Sequence, residues 1–156
     1  MKKIISILLS LLFVLTLASC AEDAKENPDE GTTAEITEGT TLEGGIWALA
    51  KYTEDTVLGE GATKITLSVI TEEKTVKFTI NTDKTVLGDV LTENGLVEGE
   101  EGPYGLYIKK VNGISAVYET DGAYWSVSID GETAVTGIDA IDVTDGGKYE
   151  LTYTKA

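Results

Sequence analysis

Residues 64–91 read KITLSVITEEKTVKFTINTDKTVLGDVL, and this stretch decides the fold. Apolar and polar residues alternate twice within it, first at Ile65, Leu67 and Val69 and then at Val76, Phe78 and Ile80. Such alternation is typical of strands with one buried face. Because the two runs are separated by the polar residues Thr71, Glu72 and Glu73, they predict a β-hairpin.

The second half of the stretch has the period of a helix. Its apolar residues recur at helical spacing, at Val86, Leu87, Val90 and Leu91. Thr85 precedes the run as the predicted N-cap, and Gly95 follows it as the predicted stop. Gly88 inside this helix costs about 1 kcal/mol relative to alanine, which predicts close packing of the helix against the sheet.

Strand signals return after the helix, each followed by turn residues. The predicted strands cover residues 106–111, 117–118, 124–129 and 149–153. Asn-Gly and Asp-Gly pairs follow the first three, at Asn112-Gly113, Asp121-Gly122 and Asp130-Gly131, and these residues tolerate the positive φ of tight turns. A hairpin, then one helix, then several strands predicts an α+β domain, a β-grasp-like arrangement in which one helix packs across a mixed or antiparallel sheet.

The N-terminus has a different character. Lys2 and Lys3 precede an apolar run, residues 4–17, that is too short to span a bilayer well, and small residues then lead to Cys20. This order resembles a bacterial lipoprotein signal peptide, which implies lipid attachment to Cys20 and removal of residues 1–19. We therefore expect a protein anchored to the cell membrane by lipid, on the extracytoplasmic face. An ordinary signal peptide with an incidental cysteine, and a signal anchor, are the alternatives.

Three further regions follow the predicted leader. Residues 20–45 are rich in acidic residues, threonine and glycine, so we expect a disordered acidic tether. Residues 46–63 form an apolar lead-in segment that contains Trp47, for which a strand, a short helix and a flap are all compatible. Residues 64–156 form the predicted folded domain.

The charge of the chain excludes some partners. Its 12 basic residues are all lysines and oppose 27 acidic ones, for a net charge of −15. Removal of the leader takes two lysines away, which leaves 10 against 27, or −17. Nucleic-acid binding needs clustered basic residues, so we expect none. Attraction to anionic lipid is equally disfavoured, so the lipid on Cys20 must provide the membrane attachment.

The residue types also argue against catalysis. The chain has no histidine, and its single cysteine is Cys20. Zinc sites built from cysteine and histidine, and any histidine general base, are therefore excluded. Asp139, Asp142 and Asp145 are spaced by three, unlike the alternating ligands of an EF-hand loop, so we predict no metal site. A hydrolase that uses only carboxylates is the remaining enzymatic alternative, and we expect a protein that is not an enzyme.

Several motifs along the folded part resemble one family. They are TVLGDVL at 85–91, GLYI at 105–108, VNG at 111–113, YW at 124–125, GID at 137–139, and DG at 145–146 followed by Tyr149, Leu151 and Tyr153. The pattern, over about residues 64–155, resembles the bacterial domain of unknown function DUF4430, related to the C-terminal β-domain of transcobalamin and gastric intrinsic factor. The resemblance implies a β-grasp fold of the soluble-ligand-binding type. In the animal proteins this domain covers one face of cobalamin, so a corrinoid is the leading candidate for the carried ligand, and another soluble ligand is the alternative.

The animal carriers pair this domain with a large helical barrel, and nothing in this chain resembles that barrel. A corrinoid would therefore need a second protein or a second copy to complete its site. The absence of histidine also removes any imidazole that could coordinate cobalt. The alternative function is an interaction module for proteins or glycans, with no small-molecule ligand.

Four residues are the candidate ligand-binding set: Tyr107, Asn112, Tyr124 and Trp125. Alternation places Tyr107 and Tyr124 on outward faces and Trp125 on the core face. From its Asn-Gly pair alone, Asn112 is expected to enter a hairpin turn. Only the family resemblance implies that it lines a pocket. A concave apolar pocket near these tyrosines favours a ligand, and a flat aromatic patch favours a macromolecular partner.

Overall fold

The computed structural model describes residues 44–156, which hold nine strands, two short α-helices and two 3-10 helices. The strands are β1 (Thr56–Leu58), β2 (Thr63–Ile70), β3 (Thr75–Thr82), β4 (Val97–Gly102), β5 (Gly105–Val111), β6 (Ile114–Ser115), β7 (Ala123–Ile129), β8 (Glu132–Thr133) and β9 (Lys148–Lys155). The helices are a first 3-10 helix (Gly45–Leu49), α1 (Leu87–Glu93), α2 (Tyr118–Asp121) and a second 3-10 helix (Ile138–Ala140). The predicted leader, Cys20 and the predicted tether up to residue 43 lie outside the described residues.

Six strands form one mixed sheet in the order β1-β3-β2-β9-β7-β8. The central pair β2 and β9 runs parallel, as does the edge pair β1 and β3, and the remaining neighbours are antiparallel. Strands β4, β5 and β6 form a separate three-stranded antiparallel sheet. The predicted α+β class with a mixed sheet is confirmed.

The predicted hairpin supplies the middle of the core. Strands β2 and β3 pair over their whole length, with Leu67 opposite Phe78. The six alternating apolar residues of the hairpin are all fully buried, namely Ile65, Leu67, Val69, Val76, Phe78 and Ile80. Three residues of α1, namely Leu87, Val90 and Leu91, are buried in the same cluster. Each such burial contributes on the order of 2 kcal/mol of hydrophobic free energy.

The lead-in segment is part of the fold. Residues 46–63 contain most of the first 3-10 helix and also β1, so both a short helix and a strand occur there. Trp47 is 7% exposed, and its indole N–H donates to Thr71 Oγ1 over 2.8 Å. Strand β1 extends the sheet by pairing with β3. The packed structure therefore begins well before residue 64.

The start of α1 differs from the sequence prediction. The cap residue is Val86, not Thr85, and no side chain caps the helix. The N–H of Leu87 donates instead to the carbonyl of Ile141 over 2.9 Å, and the carbonyl of Thr85 accepts from the N–H of Val143 over 2.8 Å. The predicted Thr85 cap is wrong because a distant backbone segment satisfies these groups.

The predicted strand at 117–118 is also wrong. Tyr118 begins α2, and the carboxylate of Asp121 accepts from the N–H of Val117 over 2.8 Å, just before the helix. Gly122 then ends the helix with φ 59°.

No helix of the described residues is both long and apolar enough to cross a membrane.

Asn112 fastens the lead-in segment to the domain. It occupies the β5–β6 turn with φ 53° and is fully buried. Its side-chain Oδ1 accepts from the N–H of Tyr52 over 2.9 Å, and its Nδ2 donates to the carbonyl of Tyr52 over 2.7 Å. The backbone carbonyl of Asn112 accepts from the N–H of Lys51 over 2.8 Å. One residue thus satisfies three backbone groups of the lead-in segment.

We expect Asn112→Ala to lower the free energy of unfolding by about 3 kcal/mol, because it leaves two half-buried backbone groups of Tyr52 without their hydrogen-bond partner and places alanine at a positive φ. Urea unfolding of the full-length chain measures this. Asp130→Ala is the matched control, since Asp130 also has φ 51° in a hairpin turn but is exposed. Asp130→Ala should lower the free energy of unfolding by only about 1 kcal/mol, the cost of placing alanine at a positive φ. Equal losses for the two variants would contradict the role of the Asn112 side chain.

Candidate functional site

A groove lies between β5, β7 and the second 3-10 helix, with a volume of about 170 Å³. The lining residues come from these three elements and from the position just before the 3-10 helix, and they are Leu106, Tyr107, Ile108, Tyr124, Trp125, Val127, Gly137 and Ile138. All of these residues are apolar or aromatic, and their only polar side-chain groups are the tyrosine hydroxyls and the indole N–H of Trp125. Strands β5 and β7 are not hydrogen-bonded to each other. The groove therefore opens where the small, three-stranded sheet meets the large, six-stranded sheet.

Three of the four candidate ligand residues line this groove. Tyr107 and Tyr124 are 41% and 40% exposed, and Trp125 is 6% exposed. These exposures agree with the faces that alternation assigned to them. Asn112 lies elsewhere, buried in its turn with its amide occupied by Tyr52. The structure thus brings three of the four together, and their contact with a ligand stays a prediction.

Trp125 has an unusual hydrogen-bonding state. Its indole N–H is buried and has no hydrogen-bond partner among the described residues. The ring stands edge-on to Tyr153 of β9, with 5.5 Å between the centroids and 85° between the planes. A buried donor without a partner costs about 1–3 kcal/mol, so a ligand oxygen that reached this N–H would recover that cost.

The strands beside the groove also have unpaired backbone edges. The carbonyl of Val127 accepts from the N–H of Ala134, on the side away from β9, and alternation places the backbone groups of Trp125 on that same side. Strand β8 pairs only with the last two residues of β7, Ser128 and Ile129. Among residues 44–156, the backbone of Trp125 therefore has no strand partner on the side away from β9. Free N–H and C=O groups of this kind suit a ligand that carries amides.

The backbone edge of β5 that faces away from β4 is hydrogen-bonded to a carboxylate. The N–H of Leu106 donates to Asp139 Oδ2 over 2.5 Å, away from β4. Strand β6 pairs with β5 only at Lys110 and Val111, so Ile108 also has a free backbone edge within the described part of the chain. Asp139 therefore positions the β5 wall of the groove.

Two glycines make room for Asp139. A Cβ on Gly88 would lie 2.2 Å from Asp139 Oδ1, and one on Gly105 would lie 2.7 Å from Oδ2. The close packing predicted for Gly88 is therefore real, but its partner is the side chain of Asp139 and not the sheet. Sequence reasoning missed Asp139 in this role. The signal was a helix-interior glycine, whose partner 51 positions away only the fold identifies.

Negative charge dominates the surroundings of the groove. A neighbouring cavity of about 460 Å³ is lined by four carboxylates and no lysine, and the four are Asp89, Glu98, Glu101 and Asp139. No group of three acidic residues in the described part of the chain is arranged to hold a metal ion. Beside the groove, burial and then the charge of Asp121 raise the pKa of Tyr153, so its phenol stays neutral at physiological pH.

Comparison with known proteins identifies the relatives of this fold. Residues 83–155 match a family described as a domain of unknown function, DUF4430. A solved structure of a proposed metal-binding protein from Ruminococcus gnavus ATCC 29149 is 34% identical, with a TM-score of 0.58, and the match covers 61% of this chain and 99% of that one. Haptocorrin in complex with Cbi is 24% identical with a TM-score of 0.47, over 60% of this chain and 25% of haptocorrin. No curated protein matches the chain.

A double-mutant cycle tests the contact between Gly88 and Asp139. In the native chain we expect Gly88→Ala to be destabilising or neutral, because the new methyl group displaces the Asp139 carboxylate from the N–H of Leu106. In the Asp139→Ala background the same change should stabilise by up to about 1 kcal/mol, since only the helix propensity of alanine remains. Urea unfolding of the four full-length variants measures both. An identical effect of Gly88→Ala in the two backgrounds would show that the contact is absent.

Proposed function

Because the chain belongs to the DUF4430 family through residues 83–155, we propose that it is a lipid-anchored, extracytoplasmic module that binds a soluble ligand in the groove between β5 and β7. The observation that carries the proposal is the meeting of Tyr107, Tyr124 and Trp125 in one concave apolar site. Ligand sites combine such apolar walls with a few polar groups that fix orientation. Here the polar groups are the indole N–H and the free backbone edges.

These features define the chemistry of the ligand. The aromatic walls suit a flat apolar group, and the backbone edges of Trp125 and Ile108 suit amides at its rim. A corrinoid, which the sequence resemblance implies, has a flat macrocycle edged by carboxamides. The groove, at about 170 Å³, is too small for a whole corrinoid. It would hold one edge, and a second protein or a second copy would cover the rest.

The proposed ligand contact involves no coordination by the protein. Since the chain has no histidine, no imidazole is present to replace an axial ligand of cobalt. The Ruminococcus gnavus relative is described as a proposed metal-binding protein, and among residues 44–156 of this chain no group of three acidic side chains is arranged to hold a metal ion. The module is proposed to capture its ligand without transforming it.

Titration of the full-length chain with cyanocobalamin tests the ligand. We expect quenching of Trp125 emission at tens of micromolar ligand, with no spectral sign of imidazole coordination. Trp47→Phe removes the second tryptophan and should leave the affinity unchanged, because Trp47 is hydrogen bonded to Thr71 away from the groove. Trp125→Phe keeps an apolar ring but loses the N–H, so binding should weaken about tenfold. The affinity is measured by calorimetry, which needs no tryptophan signal.

An absence of heat with cyanocobalamin would remove the corrinoid from the proposal. If Trp47→Phe and Trp125→Phe weakened binding equally, the ligand would not occupy the groove. Asn112 does not line the groove, so we expect Asn112→Ala to lower the stability of the chain and to leave the affinity of the folded chain unchanged.

Lipid attachment has its own test. We expect the full-length chain, expressed in a bacterium that processes lipoproteins and fed an alkyne-labelled fatty acid, to incorporate label and fractionate with membranes. Cys20→Ala should abolish the label, because the chain has no other cysteine. A labelled Cys20→Ala variant, or an unlabelled native chain, would contradict the anchor.

A further inference from the structure

Two fully exposed apolar side chains stand beside the groove and take no part in it. Tyr104, at the tip of the turn between β4 and β5, is 93% exposed, and Val135, which follows β8, is 99% exposed. Neither lines the groove. Single exposed apolar residues are ordinary on protein surfaces, so the relation between the two is what matters.

The two residues lie on adjacent loops. A Cβ on Gly137 would lie 3.0 Å from the backbone carbonyl of Tyr104, so the loop that carries Val135 runs against the turn that carries Tyr104. The turn that carries Tyr104 is short and held at its base, because Gly102 pairs with Gly105. The exposed side chains of Tyr104 and Val135 define the surface that we call the tip surface.

The charge around the tip surface is negative. The cavity next to Val135, about 480 Å³ in volume, is lined by Asp130 and Glu132 and by no lysine. A second cavity, lined by residues of α1 and β4 and by Leu106 and Asp139, holds four carboxylates, one of which, Glu98, is paired with Lys110. Of the nearest lysines in the small sheet, Lys109 is paired with Glu100, and Lys110 with Glu98.

We propose that the tip surface docks a partner protein whose contact segment combines apolar side chains with lysine or arginine. Electrostatic complementarity selects such a partner, because its positive groups would meet Asp130 and Glu132, which line the cavity next to Val135. A second copy of this chain is disfavoured by the same argument, since two surfaces of a protein with net charge −15 repel one another. This docking surface is separate from the ligand groove and does not depend on it.

The test uses two peptides with the same leucines, one with lysine and the other with glutamate at the alternate positions. We expect the lysine peptide to bind the full-length chain in calorimetry, with affinity that falls as salt rises, and the glutamate peptide not to bind. The double variant Tyr104→Ser with Val135→Ser should weaken the lysine peptide by about tenfold or more. Tyr118→Ser with Val57→Ser is the matched control, because these residues are 54% and 68% exposed, lie outside the tip surface, and Val57 lies on the opposite edge of the sheet.

Three outcomes would overturn the proposal. No binding of the lysine peptide would show that the tip surface does not select a basic apolar segment. An equal loss in the test and control variants would show general attraction to an acidic protein. Sedimentation of the chain as a dimer that Tyr104→Ser with Val135→Ser dissociates would assign the surface to self-association. Cyanocobalamin titration of the Tyr104→Ser, Val135→Ser variant separates this proposal from the ligand proposal, because groove binding should be unchanged.

Discussion

The parallel pairing of β2 with β9 is the constraint on which the rest of the structure depends. It joins the N-terminal hairpin to the last strand of the chain, with Leu67 opposite Tyr149 and Val69 opposite Leu151. All four of these residues are buried. A slip of one residue in this register would turn each of those side chains to the other face, so the hydrophobic pattern fixes the pairing strongly.

The groove follows from that pairing. Strand β9 pairs with β7 in a register that sets Trp125 opposite Tyr153, and this places the indole on the inner face. The small sheet then approaches β7 without hydrogen bonding to it, because Asp139 occupies the backbone of Leu106 and β6 covers only the far end of β5. An apolar site bordered by free backbone groups therefore arises where the two sheets approach each other without hydrogen bonding.

The sequence predicts those parts of the fold whose signal is local. The hairpin, the body of α1, and the turn at Asn112 and Gly113 are all present, because alternation, helical spacing and turn residues act over a few positions. The predicted helix cap at Thr85 and the predicted strand at 117–118 were wrong. In each case a distant or local backbone partner, such as the carbonyl of Ile141 for the N–H of Leu87, overrides the local propensity.

The same distinction applies to the site. Alternation alone indicated which of Tyr107, Tyr124 and Trp125 face outward, because it depends only on strand period. It could not show that they meet, since β5 and β7 are brought together by the packing of two sheets. The role of Asp139 and the existence of the tip surface could not be predicted for the same reason, because the residues that meet there are far apart in the sequence.

The fastening at the start of the described chain has a mechanical consequence. The first 3-10 helix is tied to the β2–β3 turn through Trp47 and Thr71, and the following residues are tied to the β5–β6 turn through Asn112. A pull on the chain at residue 44 is therefore shared between both sheets and does not peel away a single strand. Such a junction suits a domain that must keep its shape while held under tension from one end.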